Sequence, residues 1–495
     1  MKLKVKDMDI STGGVLISIF SKEDAHKLDL HYEDRVVLKF GHKSVTAVVD
    51  LAASKKAVPK GSIGLFEEVL EKLGVKSNDV VKIDIEEKPV SVGFIRDKLD
   101  GKELSSDQIN EIVKDIVKNN LSAIELTYFV SAAYTKGLSM DETIALTKAI
   151  VSHGDQLKLS KYPVFDKHCS GGVPGNRTTM VLVPLLAAAG MTLPKTSSRS
   201  ITSPAGTADT MEVLAEVCIP VSKMKKIVNR IGACMVWGGA MNLAAADDKL
   251  IKIRYPISLD PHGMLLASIM AKKTAVHSTH VLIDIPIGKD TKINNSTKAK
   301  KLAKEFVVLG KNLGMKVKVL ITDGSQPIGN GIGPALEARD VLLVLMNDPK
   351  APQDLRDKVL FMAETAMRMV GKKDARKKAK YYLNSGLAYK KMKEIIKAQG
   401  GNPDVKPEDI KIGDFTHVVR AKSSGKIYCI NNKTISKIAR VAGAPLDRGA
   451  GIFMHKHVGD SVKKGEPVFT IYSENAHRLK YALHILKVFD GVKFR

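Results

Sequence analysis

Aromatic side chains are scarce in this sequence: Trp, Tyr and Phe make up 5% of 495 residues, with a single Trp. Aliphatic and methionine side chains must therefore fill the cores, and the interleaved aromatics of sequence-specific RNA readers are missing. The four cysteines, at 169, 218, 234 and 429, lie too far apart for a metal-ligand spacing. That usage predicts neither a disulfide framework nor a zinc site, and it fits a reduced cytoplasm. The start, Met1-Lys2-Leu3-Lys4-Val5, has no secretory apolar segment. Long hydrophobic runs are absent too. The most apolar stretch, Val181 to Leu193, is short and is broken by Pro184 and Gly190, so no membrane partner is expected.

Acidic residues are also in short supply, 53 against 78 Lys and Arg, for a formal net charge of +25. Such a charge suits either a polyanion partner or a lysine-rich, solvated surface. Lysines are spread over the whole chain, with dense patches at Lys298 to Lys304 and Lys372 to Lys380, and no RNA-recognition signature accompanies them. The solvated surface is the preferred reading, and nucleic acid is not expected as a partner. The charge still raises the local concentration of small anionic substrates.

What is present is concentrated between Phe165 and Met211. Two loops rich in glycine, serine and threonine occur there, each followed by a helix-like run. The first is Asp166-Lys167-His168-Cys169-Ser170-Gly171-Gly172-Val173-Pro174-Gly175-Asn176-Arg177-Thr178-Thr179, leading into Met180 to Ala189. The second is Ser197-Ser198-Arg199-Ser200-Ile201-Thr202-Ser203-Pro204-Ala205-Gly206-Thr207, leading into Ala208 to Val217. Facing one another, they would line a cleft with NH groups, hydroxyls and three cations, Lys167, Arg177 and Arg199. Backbone NH groups at helix starts carry partial positive charge, and glycine lets an anion approach them. The chemistry is that of an oxyanion site, most simply phosphate. No Gly-Lys-Ser/Thr closes the first loop, which excludes a Walker nucleotide site.

At 495 residues the chain is long enough for about three domains. The expected fold class is α/β: a small all-helical domain, a large mixed α/β domain, an extra N-terminal β-rich domain and a C-terminal α+β domain. Residues 1–88 read as short strands (Val15 to Ile19, Val36 to Phe40, Val45 to Val49, Val80 to Ile85) with a helix-like insert from Ile63 to Leu73 closed by Gly74. This module carries neither loop, so it is expected to serve assembly or binding, in a pattern that resembles a double-psi barrel. Residues 89–155 read as helices capped at Ser105, Ser122 and Ser139. Residues 156–412 alternate strand and helix, with Val281 to Pro286, Lys316 to Ile321 and the helix Thr297 to Leu313 the clearest, which predicts a largely parallel sheet. Residues 413–495 return to short strands and turns. There Gly459 to Glu466 resembles a turn of biotinyl-domain hammerheads without the Met-Lys-Met acceptor, so no carrier function is expected.

The sequence from Lys167 to Val173 resembles the phosphate loop of the thymidine and pyrimidine-nucleoside phosphorylases. Pro174 to Arg177 and Ser198 to Ser203 are similar to one branch of that family, the archaeal AMP phosphorylases. Further similarity follows in order at Ser258-Leu259-Asp260, Ala267 to Lys273 and Thr322 to Gly329. The resemblance implies that the helical domain is completed by about residues 245–275, and that an N-terminal domain of this size joins subunits into a homo-oligomer, a dimer or larger.

The resemblance also implies roles. Lys167, Ser170, Thr179, Ser197 and Thr207 would bind inorganic phosphate. Gly172, Ser198, Arg199, Ser200, Ile201, Thr202, Ser203, Thr207, Ser268 and Lys292 would contact substrate, and Asp260 would give a proton to the leaving base. His168, Arg177, Arg254 and Lys272 are secondary candidates. Each has a plainer alternative: Lys167 as a surface lysine, Thr207 as a helix cap, Asp260 as a cap of the helix near Pro261, His168 as a packing group, Arg177 as a surface ion pair. Cys169 departs from the family, which has a phosphate-binding serine there. A thiol is a poor donor, so Ser170 or nearby NH groups would take over.

The activity implied is phosphorolysis of a nucleoside 5′-monophosphate, AMP or also CMP and UMP. Phosphate is the co-substrate, and no cofactor or metal is expected. A pyrimidine-nucleoside phosphorylase is the rival enzyme, and a basic RNA-binding or scaffold protein the rival of another class.

Overall fold

A computed structural model describes residues 1–85, 88–200, 203–257, 259–488 and 491–495. The chain divides into two units, one made of Met1–His153 with Ala245–Leu265, the other of Gly154–Ala244 with Leu266–Arg495.

The first unit opens with a closed six-stranded barrel. Its strands are β1 (Lys2–Asp7), β2 (Ile17–Phe20), β3 (Arg35–Phe40), β4 (Lys43–Leu51), β5 (Ser62–Leu65) and β6 (Val80–Ile85). They close in the order β1-β5-β2-β4-β3-β6, with β1/β5 and β2/β4 parallel. Helices α1 (Lys22–Lys27) and α2 (Glu67–Leu73) are inserted between strands. Alternation of buried and exposed residues, as in Leu3 and Val5 or Val36 and Leu38, fills the barrel with aliphatic side chains. The expected helix from Ile63 is corrected here. Ser62–Leu65 is a strand, because Ile63, Gly64 and Leu65 pair with β1 on one side and β2 on the other, and only Glu67 onward is helical.

Four helices follow: α3 (Val90–Leu99), α4 (Ser106–Lys118), α5 (Ala123–Thr135) and α6 (Met140–Ser152). Ser105, Ser122 and Ser139 cap the last three, each in a reciprocal capping box with Gln108, Glu125 or Glu142. Each box satisfies two otherwise orphaned NH groups and contributes on the order of 1 kcal/mol.

The second unit starts with β7 (Phe165–Cys169), α7 (Thr178–Ala188), β8 (Leu193–Ser197), α8 (Thr207–Met211), α9 (Val221–Ile231) and β9 (Ala233–Trp237). The chain then supplies α10 (Ala245–Arg254) to the first unit, and α11 (His262–Ala275) begins in the first unit and ends in the second. Next come β10 (His280–Ile287), α12 (Ser296–Asn312) and β11 (Lys316–Asp323). Strands β11, β10 and β7 pair in parallel, as do β8 and β9, and a parallel bridge from Val164 to Thr192 joins the two sets. Between them the connections carry helices, as parallel strands require. The run predicted from Ala208 to Val217 is helical only to Met211.

Short β12 (Gly331–Ile332) precedes α13 (Pro334–Met346), α14 (Gln353–Met369), α15 (Ala375–Asn384) and α16 (Leu387–Ala398). These helices and α7 form one aliphatic and methionine core with the sheet. The C-terminal part holds β13 (Phe415–Arg420), β14 (Gly425–Ile430), α17 (Asn432–Val441), β15 (Gly451–Met454), β16 (Ser461–Val462), β17 (Pro467–Ser473), α18 (Ala476–Val488) and β18 (Val492–Phe494). β12 pairs with β15, so the C-terminal sheet takes one strand from before residue 413.

Candidate active site

Both loops leave the sheet at the carboxyl ends of parallel strands, the first after β7 and the second after β8. That edge is where helix N-termini and strand ends converge in α/β folds. The first loop turns sharply through Gly171 and Gly172, with φ of 87° and 91°, a conformation that glycine tolerates and L side chains resist. A Cβ on Gly172 would lie 2.7 Å from the backbone nitrogen of Lys292, so the loop and the segment after β10 touch through their main chains. Lys292 itself is exposed beside this contact.

Lys167 is not a surface lysine. Its side chain is 1% exposed, and Nζ donates to Thr178 Oγ1 at 2.8 Å and lies 3.9 Å from Asp284 Oδ2. Burial holds its pKa below the usual lysine range, partly offset by Cys169 and Asp284. Thr179, one residue on, is buried in the first turn of α7. Ser170 donates its backbone NH to the Asp284 carbonyl at 2.9 Å, and its Oγ is buried with no hydrogen-bond partner among the described residues. Buried hydroxyls are nearly always satisfied, so an orphan at a loop mouth marks room for a ligand atom. Cys169 Sγ accepts from Gly171 NH at 3.4 Å and from Asn176 Nδ2 at 3.5 Å, and burial pushes its thiol pKa up. It holds the turn together.

Arg177 is tied down. Its guanidinium donates to Thr207 Oγ1 and to the Ala205 carbonyl, both at 3.1 Å, and pairs through Nε with the buried Glu337. The expected surface ion pair is therefore a buried one, and Arg177 links the first loop to the second. Thr207 is the first residue of α8, behind Gly206 at the cap, so its hydroxyl accepts from Arg177 where a helix cap had been the alternative.

The second loop is satisfied from within. Arg199 forms a two-pronged pair with Glu212 at 2.5 and 2.7 Å and stacks over Trp237 at 4.9 Å. Asp209 Oδ2 accepts from the NH of Ser200 at 2.7 Å and of Gly206 at 2.8 Å. Ser200 Oγ bonds the Ser203 carbonyl, Ser203 Oγ bonds the Ala205 carbonyl, and Ser197 Oγ bonds the Val236 carbonyl at 3.3 Å. Ser198 is exposed. Ile201, Thr202 and Ser258 lie outside the described residues. The expectation that Arg177 and Arg199 would line an open cationic cleft is thus corrected, since carboxylates hold both.

Several groups were not foreseen. Asp166, fully buried, receives Lys273 from α11 at 2.6 Å and Lys195 from β8 at 3.0 Å. Burial alone would raise its pKa, but the two ammonium groups keep it below the usual carboxylate value, while Lys195 falls to about 7. Burial, then Lys273, Lys195, Lys167 and Lys272, push the half-buried His168 well below the usual histidine range, so its ring is neutral at pH 7. Ser268, on the same helix as Lys272, is buried. On the other face of β7, Asp284 stands opposite Cys169 and receives Lys358 of α14 at 3.2 Å and the Thr322 hydroxyl at 2.7 Å. The available signal was the pleat: charged residues at Asp166, Lys195 and Asp284 sit inside apolar strand runs, where a charge survives only when paired.

In the first unit, Arg254 is buried between Asp247 at 3.6 Å and Asp260 at 3.7 Å. The Asp260 side chain is 55% exposed. Among the described residues no cluster of three or more His, Cys, Asp and Glu could hold a metal, and no helix is long and apolar enough to cross a membrane.

Three family models match the chain: a glycosyl transferase family helical bundle domain at residues 92–154, a glycosyl transferase family a/b domain at 161–389 and a pyrimidine nucleoside phosphorylase C-terminal domain at 426–488. An AMP phosphorylase of Thermococcus kodakarensis is 46% identical over 100% of this chain and 98% of its own, and one of Pyrococcus furiosus is 45% identical with the same coverage. A putative thymidine phosphorylase of Legionella pneumophila is 42% identical over 98% of this chain and 94% of its own. Among solved structures, anthranilate phosphoribosyltransferase of Thermus thermophilus matches with a TM-score of 0.52 and 17% identity. It covers 62% of this chain and 98% of that one, a likeness of fold. The chain belongs to the AMP phosphorylases, within the family of pyrimidine-nucleoside phosphorylases.

Proposed function

We propose that this protein catalyses phosphorolysis of AMP, with phosphate and AMP giving adenine and ribose 1,5-bisphosphate. The observation that carries the reading is the first loop: a buried Lys167 and, among the described residues, an unpartnered Ser170 hydroxyl, at the carboxyl end of a parallel strand, in a chain similar from end to end to AMP phosphorylases. Inorganic phosphate lies in that loop, its charge met by Lys167 and by backbone NH groups near the start of α7. It attacks C1′ of the ribose as the glycosidic bond breaks, so the pentosyl group passes from the base to phosphate oxygen. Holding the two reactants together supplies much of the rate gain. Asp260, beside Arg254, delivers a proton to the departing base.

The 5′-phosphate separates this reading from a nucleoside phosphorylase. With Arg177 and Arg199 held by carboxylates, the exposed Lys292 and the NH groups beside Gly172 are the groups assigned to it. A charge-assisted contact is worth about 1.5–3 kcal/mol, so AMP should beat adenosine by at least about tenfold in kcat/KM. Side-by-side phosphorolysis of AMP, CMP, UMP, adenosine and thymidine tests this. Equal use of AMP and adenosine would overturn it in favour of a nucleoside phosphorylase, and base release without added phosphate would remove phosphorolysis altogether. We assign the barrel of residues 1–85 a role in subunit assembly and place the enzyme in the cytoplasm as a homo-oligomer. Sizing of a protein lacking the barrel should show a smaller particle.

A further inference from the structure

Charge at the base of the first loop does not balance. Lys167 and Lys358 both direct ammonium groups at Asp284, at 3.9 and 3.2 Å, and the three side chains are 1%, 11% and 0% exposed. Among the described residues Asp284 is the sole carboxylate paired with either lysine. Two cations share one anion, which leaves a net charge of +1 in a nearly water-free site. The Lys358 nitrogen is buried, and among the described residues its charged partner is Asp284 Oδ2 alone. Such an arrangement is costly unless a further anion completes it. Next to Asp284, Ser170 rests its NH on the Asp284 carbonyl and, among the described residues, leaves its own hydroxyl unpartnered, a donor available to such an anion. Nearby Arg177 adds no further net charge to the site, since Glu337 already neutralises it.

We propose that Lys358, on α14, sets the charge of the phosphate pocket: it offsets the Asp284 carboxylate, so that the three side chains together present a net positive charge to the bound oxyanion. Lys358 acts through Asp284, as a positioning residue remote from the sugar and the base. The inference rests on the assignment of inorganic phosphate to the first loop. It also explains why the sequence tolerates a carboxylate within 4 Å of a phosphate-binding lysine, which would otherwise repel the ligand and quench the cation.

Charge arithmetic gives the test. Lys358→Met lowers the pocket from +1 to 0, Asp284→Asn raises it to +2, and the double variant returns it to +1. Phosphate binding is measured by calorimetry, KM is measured separately for phosphate and for AMP, and thermal melting confirms folding. Lys358→Met is expected to weaken phosphate binding roughly tenfold, a change of about 1.4 kcal/mol, with KM for AMP within about twofold. Lys358→Arg should bind phosphate within about threefold of the native protein, and so should the double variant. Native-like phosphate affinity in folded Lys358→Met would overturn the proposal, as would a double variant as weak as the single. If Lys358→Met fails to fold, Asp284→Asn decides: binding as tight as native or tighter supports the proposal, and weaker binding overturns it. No phosphate binding by the unaltered protein would instead overturn the loop assignment beneath it.

Discussion

The two glycine- and serine-rich loops look alike in sequence and differ in what their polar groups do. In the first, the Ser170 hydroxyl is left without a partner and Lys167 is one of two cations on a single carboxylate. In the second, Asp209 takes two backbone NH groups, Glu212 takes both arms of Arg199, and serine hydroxyls return to carbonyls of the same loop. The first loop is poised for a ligand, whereas the second is a self-satisfied wall that positions Thr207. The difference comes from acidic residues just beyond the second loop, in and after the short helix α8. Anion-binding texture predicts a site only where no internal carboxylate has already taken the donors.

The largest break in this contrast should come from Lys167→Ala. Removing a buried cation from the open loop is expected to raise KM for phosphate and lower kcat/KM by roughly a hundredfold or more, the scale of a lost charge-stabilising donor. KM for AMP should move far less. A variant whose phosphate dependence matches that of the unaltered protein would sink the assignment of the first loop.

Next comes the tie between the loops. Arg177→Met leaves Glu337 buried without its cation, where its remaining partners are Thr210 Oγ1 at 3.2 Å and the Gly333 NH at 3.1 Å. Burial already pushes the Glu337 pKa up, so the carboxyl in the variant should protonate, and the fold should lose about 3–5 kcal/mol. The sign follows from proton uptake. A carboxyl with a raised folded pKa binds more protons folded than unfolded, so the variant should lose stability as pH rises from the ordinary glutamate value through the raised one. Urea melts at pH 5 and pH 8 check this. A variant as stable at pH 8 as at pH 5 would contradict the buried-pair account.

Asp209→Ala sharpens the comparison from the other side. It releases the NH groups of Ser200 and Gly206 and should cost about 1–2 kcal/mol, as for a lost cap. If the second loop is chiefly a wall, the phosphate KM should rise by less than about fivefold. A loss as large as that of Lys167→Ala would mean that the second loop binds phosphate as strongly as the first.

Much of this was legible in local sequence. The three serine capping boxes need residues only three apart, and the glycines of the first loop announce its turn. What escaped depended on partners distant along the chain. The buried pairing of Arg177 was not legible because Glu337 arrives from α13, nor was the buried charge cluster around Lys167, because Asp284 and Lys358 come from β10 and α14. Ser62–Leu65 ran on into a helical pattern, and only its pairing to β1 and β2 makes it a strand. The stop of α8 at Met211 was likewise not legible in the apolar run that continues to Val217.

The smallest effect is expected at Cys169, where the chain carries a thiol in place of the family's serine. Its sulfur accepts two weak, long contacts from Gly171 and Asn176, and it stands opposite Asp284 across the strand pair. A serine oxygen is smaller and sits closer to the backbone, but it accepts the same NH and adds a donor that can turn toward the phosphate. Cys169→Ser should therefore leave kcat/KM and the phosphate KM within about threefold, with any shift toward tighter phosphate. Burial and the Asp284 carboxylate also hold the Cys169 thiol protonated, whereas Cys218 is exposed. Iodoacetamide should accordingly label Cys218 well before Cys169 at pH 8, and phosphate should slow the labelling of Cys169 alone. A serine variant with phosphate KM raised more than about tenfold would show that the sulfur itself shapes the loop, and that the neighbouring Ser170 cannot carry the contact by itself.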